Sequence, residues 1–325
     1  MDNVSFTHEM DDIMENTWNE IFGRMNRKEG EVCGIATGLK SLDMSDSGWQ
    51  PGRLYVLAGR PGEGKTAMML FFAREAVKQG RRTYVVSLEM GHRELGERIL
   101  AGEGTVDIAK LKHGSFSESE MAEVVALKDR LKNLPLVVDD SSDPNIDSIC
   151  SRVRDYNKER KIDLLAVDYV QLLSSSRNID NRAAEIGECT RKLKLLAKEL
   201  GCPVILLGQL NRSAEDRTCK SGPTMSNLKD SGSIEQDADM VMIVMKEDGL
   251  MVNPVAAADG GVAPAATDGL GHVGVIKIAK QRNGGTGKVY FRHNGSYTQV
   301  VECGLSELVF GKDEKKRKKQ ELIYS

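Results

Sequence analysis

The stretch Gly59-Arg60-Pro61-Gly62-Glu63-Gly64-Lys65-Thr66 decides the reading of this chain. It fits GxxxxGK[ST], a pattern that residue frequencies alone place in roughly one chain in a hundred of this size. Its surroundings narrow it further. An apolar run at 54–58 precedes it and an apolar helical pattern at 67–77 follows, the strand–loop–helix setting that phosphate binding needs. Gly62 and Gly64 let the backbone curl so that successive N–H groups point at one phosphate. The start of the following helix adds partial positive charge. Lys65 supplies a point charge for the β- and γ-phosphates, and the Thr66 hydroxyl can ligate Mg²⁺. The eight residues thus predict a site for ATP and Mg²⁺.

Working outward, short apolar runs recur at 83–88, 136–139, 164–168, 204–208, 240–245, 274–279 and 288–293. Most are rich in Val, Ile and Leu, as buried parallel strands are. Helical patterns at 65–79, 91–101, 117–132, 145–160 and 181–200 separate the earlier ones. This alternation predicts an α/β fold, a largely parallel sheet covered on both faces. The last two or three strands have no helix between them and are expected to be antiparallel. A Gly/Ala/Pro-rich interruption at 247–272 reads as a mobile surface loop.

The ends differ from the middle. At 7–26, Met10, Ile13, Met14, Trp18, Ile21, Phe22 and Met25 recur at helical spacing, predicting an amphipathic helix. It either folds back on its own domain or docks on a neighbouring subunit. The expected organisation is this helix at 1–30, a catalytic domain at 31–303 and a basic, flexible tail at 304–325. The tail, mostly Lys and Arg from Lys312 to Lys319, is either solvated or a nucleic-acid or partner contact.

Composition bounds the rest. Of 325 residues, 40% are hydrophobic and 29% charged, as in a soluble globular protein. No apolar run is long enough to span a bilayer, and the acidic N-terminus is neither a secretory nor a mitochondrial signal. Six scattered cysteines without a CxxC pair suit reduced thiols in a cytoplasm. The net charge of −3 restricts nucleic-acid binding to a local patch.

Three polar residues close apolar strands. Asp168, after 164–167, can hold the Mg²⁺ shell through water. Glu89, after 85–88, lies where a strand end opens on a nucleotide crevice and can polarise an attacking water. Gln209, after 204–208, is either a turn amide or a reporter of the γ-phosphate.

The ordered set SLEM (87–90), VDYVQLL (167–173), GQLNRS (208–213), SGSIEQDAD (231–239) and KQRNG (280–284) resembles the RecA-like motor domain of the DnaB family of replicative helicases. The resemblance runs from about Gly34 to Val301. It implies that Glu89 is the catalytic carboxylate and Gln209 the γ-phosphate sensor. Lys280 and Arg282 become the basic pair inserted into the neighbouring subunit's ATP site. It also implies a homohexamer moving 5′ to 3′ on single-stranded DNA, with a primase or helicase loader as partner. By it, the helix at 7–26 is a linker helix packed on the next subunit. The segment 227–233, with Lys229, Asp230, Ser231, Gly232 and Ser233, aligns with the family's DNA-binding loop. Arg212, Arg217 and Lys220 add charge upstream, and 174–182 aligns with a second channel loop. Small residues there suit reading of phosphate backbone rather than sequence. The helical N-terminal domain that the family carries, which engages primase, has no counterpart in the residues before the motor. The implied setting is a bacterial cytoplasm, with the gene on a chromosome, phage or mobile element. Two other functions use the same core: a filament-forming recombinase of the RecA or RadA kind, and a regulatory ATPase ring of the KaiC kind. KQRNG and the N-terminal helix argue against the recombinase.

Overall fold

The computed structural model describes residues 7–28, 31–104, 106–177, 179–211, 223–228, 231–247, 250–252, 272–296 and 298–310. Helix α1 (Met10–Met25) leads into α2 (Lys40–Asp46) and β1 (Leu54–Gly59). Then follow α3 (Lys65–Lys78), β2 (Thr83–Ser87), α4 (His92–Glu103), α5 (Ile108–His113), α6 (Glu118–Leu131) and β3 (Leu136–Asp139). Next come α7 (Ile146–Glu159), β4 (Leu164–Asp168), α8 (Arg182–Leu200), β5 (Val204–Gln209), α9 (Ser231–Asp237) and β6 (Met240–Lys246). The chain closes with β7 (Leu250–Val252), β8 (His272–Gln281), β9 (Gly287–Asn294), β10 (Gln299–Glu302) and β11 (Leu308–Phe310).

Side chains start several helices where the sequence carries capping residues. Asn145 accepts from the N–H groups of Asp147 and Ser148, and Asn181 from Ala183. Ser117 and Glu120 form a reciprocal capping box at α6. Such caps satisfy N–H groups that the first turn leaves without partners.

Nine strands form one sheet in the order β10-β9-β8-β6-β1-β5-β4-β2-β3. The six from β6 to β3 are parallel, while β8, β9 and β10 continue the sheet antiparallel. Of the last three strands expected from the sequence, 240–245 therefore joins in parallel and the other two do not. Along β1, Leu54, Val56 and Ala58 enter the core packed by α7 and α8, and Tyr55 and Leu57 enter the opposite core packed by α3. A strand buried on both faces has no use for alternating polarity, which explains its continuous apolar run. Each fully buried Leu or Ile contributes about 1.5–3 kcal/mol, and the two layers hold the crevice above the strand ends rigid.

Four features depart from the sequence reading. The expected loop 247–272 contains β7, which pairs with β11 inside the expected tail at 304–325. The end of that loop, His272, already belongs to β8. Helices α2 and α5 were not foreseen; they are too short to show a period. Finally, 231–233 is not loop but the first turn of α9. Gly187 of α8 allows this close approach: a Cβ built on it falls 2.6 Å from Ser233 Oγ. The remainder of 253–271 and of 311–325 lies outside the described residues.

Helix α1 buries none of its side chains in its own chain. Trp18 is 61% exposed and Phe22 54%, which removes the reading that the helix folds back on its own domain.

Candidate functional site

Gly59 ends β1, and the loop that follows turns into α3 through Gly62 at φ +77° and Gly64 at φ +88°. L-residues rarely adopt that conformation, so these two positions demand glycine. A Cβ built on Gly62 meets nothing within 4 Å, so the backbone there faces open space. The Lys65 ammonium rests on the Arg60 carbonyl at 3.0 Å. Burial lowers its pKa, and Asp168, Glu89 and Glu63 oppose the shift.

Asp168 ends β4 next to the loop because β5 and then β1 stand beside it in the sheet. Its Oδ2 accepts a 2.8 Å hydrogen bond from the Thr66 hydroxyl. Burial pushes the Asp168 carboxyl up to about 6, with the Glu89 charge adding to the rise; Thr66, Lys65 and Arg98 hold it down. Buried carboxylates of this kind collect at functional sites. Glu89 follows the end of β2, on a bend that the Ser87 hydroxyl stabilises by donating to the Met90 carbonyl at 2.7 Å.

These groups line one cleft of about 330 Å³, with Gly62, Gly64, Lys65, Thr66, Glu89, Asp168 and Gln209 on its walls. The structure therefore brings together the phosphate loop, the aspartate, the glutamate and the glutamine expected from sequence. It adds four wall residues that no motif marked: Arg98 from α4, and His293, Gly295 and Thr298 from the β9–β10 hairpin. Their only signal was positional, since locating them requires knowing that β9 runs past the phosphate loop. The Arg98 Nε and His293 Nε2 atoms are buried without a hydrogen-bond partner among the described residues.

The backbone of Gln209 is bracketed by one side chain. Its N–H donates to Gln171 Oε1 at 3.0 Å, and its carbonyl accepts from Gln171 Nε2 at 3.3 Å. Immediately beyond, the Asn211 N–H donates to the Asn227 carbonyl at 2.7 Å, and Leu210 bridges Leu228. Gln209, on the cleft wall, is thus two residues from the position that bonds the start of the 227–233 segment.

Lys280 and Arg282 are elsewhere. Gly59 pairs with Val244, and Val244 with Ile276. Lys280 pairs with Val241, three residues from Val244 past a bulge, so it lies about 10 Å from that level towards the opposite end of the sheet, at roughly 3.3 Å per residue. There the Lys280 ammonium donates to the carbonyls of Ala238, at 2.9 Å, and Glu235. Arg282 donates to the Gln236 carbonyl and to Asp239 Oδ1. Two cations at the carbonyl end of α9 match the sign of the helix dipole. Asp239 also accepts from Lys194 at 2.6 Å and from the Leu54 N–H at 2.8 Å.

Of the expected DNA-contacting residues, Arg212, Lys229 and Asp230 lie outside the described residues. Gly232 is exposed and Ser233 half-buried in the first turn of α9. In the second expected channel segment, Arg182 turns inward onto the carbonyls of Gln171 and Leu173. Among the described residues no cluster of His, Cys, Asp and Glu suits a metal ion, and no helix is long and apolar enough to cross a membrane. The described cysteines are free thiols.

Comparison with known proteins agrees with this geometry. The family model of the DnaB-like helicase C terminal domain matches residues 34–302. The chain is 34% identical over 276 residues to a replicative DNA helicase DnaB of Leifsonia xyli, covering 85% of this chain and 57% of that protein. It is 34% identical over 301 residues to the replicative DNA helicase DnaC of Bacillus subtilis, covering 92% and 63%. It thus spans about three fifths of the length of these relatives. A solved DnaB-like replicative helicase, described with its interactions with primase, superposes with TM-score 0.76 at 25% identity, over 92% of this chain and 68% of its own. A second solved structure, an ATPase domain, gives TM-score 0.78 at 25% identity, over 92% of this chain and 100% of its own. The cleft is a nucleotide site, and with sheet order, motif order and the match over 34–302 in agreement, the chain belongs to the family of the DnaB-like helicase C terminal domain.

Proposed function

We propose that this chain is the hydrolytic engine of a ring-shaped DNA helicase, using ATP with Mg²⁺ and working as six copies around single-stranded DNA. One observation carries the reading. The nucleotide cleft gathers Lys65, Thr66, Asp168, Glu89 and Gln209, while Lys280 and Arg282 sit at the other end of the sheet. A cation pair placed there is out of reach of its own cleft, which supports its serving a second copy's site.

The cleft fits the nucleotide and the metal. Its hydroxyl–carboxylate pair at 2.8 Å is a hard-oxygen donor set, and its orphaned nitrogens suit an anionic ligand. Bound Mg²⁺–ATP supplies the phosphoanhydride that is cleaved. Thr66 and Asp168 would hold the cation, and Lys65, now on the Arg60 carbonyl, would turn to the phosphates. Glu89 orients the attacking water and takes its proton. The Gln209 amide donates to the terminal phosphate. Its change of position passes through Leu210 and Asn211 to 227–233, where Lys229, Asp230, Ser231, Gly232 and Ser233, with Arg212 upstream, meet the DNA backbone. Lys280 and Arg282 stabilise charge developing in the neighbour's cleft, a contribution worth about 10³–10⁵ in rate in other nucleotide hydrolases.

The test is unwinding of a forked duplex with ATP and Mg²⁺. The wild type is expected to unwind and Lys65→Ala to fail. A protein that hydrolyses ATP at full rate as a diluted monomer, indifferent to DNA, overturns the reading.

A further inference from the structure

The β8–β9 hairpin touches the chain's own nucleotide cleft as well as carrying the cations at its far end. His293, near the end of β9, lines that cleft. A Cβ built on Gly64 would lie 3.6 Å from its Cε1 and 3.7 Å from its Nδ1. The imidazole is thus in van der Waals reach of the phosphate loop itself, and its Nε2 is buried with no partner among the described residues. A buried polar atom left unpaired costs about 1–3 kcal/mol, so the atom is placed for something else. Burial chiefly keeps its pKa low, and Lys246 from β6, His272 across the β8–β9 pair and Arg98 from α4 act in the same direction. No carboxylate contributes to that shift. The loop is also tied to this side of the sheet, because Glu63 accepts from the Lys246 N–H at 2.6 Å.

We propose that His293 is a nucleotide-binding residue whose ring nitrogen hydrogen-bonds the phosphate chain from beside the loop. This rests on the cleft being an ATP site, as argued above. A neutral ring presents one N–H donor to a phosphate oxygen, and a protonated ring two. A hydrogen bond to a charged partner is worth about twice a neutral one. Because Lys280 lies on β8 of the same hairpin, each hairpin then reads its own nucleotide at one end and serves the next copy's at the other.

The test is equilibrium titration of the full chain with a fluorescent ATP analogue and with ADP, in Mg²⁺. His293→Phe keeps a ring without its nitrogens, and His293→Gln keeps an N–H donor without the ring. His293→Phe is expected to weaken both ligands about tenfold at an unchanged thermal midpoint, and His293→Gln to stay within about threefold of wild type. His272→Gln, a control at the exposed first residue of β8, is expected to bind normally. Lys65→Ala serves as the reference for the site. Wild-type affinity in His293→Phe, with Lys65→Ala impaired, overturns the proposal and leaves the ATP site standing. Equal weakening in the Phe and Gln variants also overturns it, since ring shape and not the donor then matters. Normal binding by Lys65→Ala defeats the site itself.

Discussion

Asp168 shows what burying a carboxyl in a cleft costs the apoprotein. Its carboxyl is raised to about 6, chiefly by burial and then by Glu89. The folded state therefore binds its proton more tightly than the unfolded chain does. Stability from this group is present below the unfolded value near 4 and is lost as pH rises through about 6. Asp168→Asn removes that cost and retains an acceptor for Thr66. It is expected to stabilise the apoprotein by on the order of 2 kcal/mol at pH 8, with the gain shrinking towards pH 5. Chemical denaturation at the two pH values measures this; an Asn variant less stable than wild type at pH 8 contradicts it. The same variant should lose Mg²⁺-dependent turnover. The position of Asp168 was legible in sequence because a strand end and a phosphate loop sufficed to place it. That of His293 was not, because a histidine near a strand end has no signature until the sheet order puts it over the loop.

Among elements, α9 links most functions. It packs on α8 where Gly187 admits Ser233, and Thr190 donates to Asp237 at 3.0 Å. Its first turn carries Ser231–Ser233 of the expected DNA segment, and its last carbonyls hold Lys280 and Arg282. Gly187→Ala forces the two helices apart. It should destabilise the fold by about 1–3 kcal/mol, the usual cost of overpacking, and denaturant midpoints will show it. A midpoint equal to wild type means that the contact yields. The family resemblance pointed to a loop at 227–233. Packing against α8, not propensity, makes 231–237 a helix.

At the scale of the whole molecule, α1 is the element its own chain leaves uncovered, with Met10, Met14, Trp18, Phe22 and Met25 all more than half exposed. A helix of this length is marginal by itself in water, and so large an apolar face marks a contact surface. Trp18→Asp with Phe22→Asp is expected to leave the thermal midpoint of the monomeric domain unchanged and to abolish ring assembly in sedimentation velocity. Rings of undiminished stability refute the docking role. Arg282→Ala is expected to keep nucleotide affinity while DNA-stimulated hydrolysis falls by about 10³ or more. Mixing it into wild-type rings should depress activity beyond simple dilution, and strictly proportional dilution argues for sites complete within one chain.

Sequence by itself determined the phosphate loop, the strand–helix alternation and the strand-end residues Asp168, Glu89 and Gln209, because each depends on neighbours within a few positions and on local periodicity. Tertiary structure decided what depends on sheet order. It separated Lys280 and Arg282 from their own cleft, bracketed Gln209 with Gln171, and laid His293 against Gly64. Strand order is set by which faces bury together across distant segments, and no window of sequence contains that information.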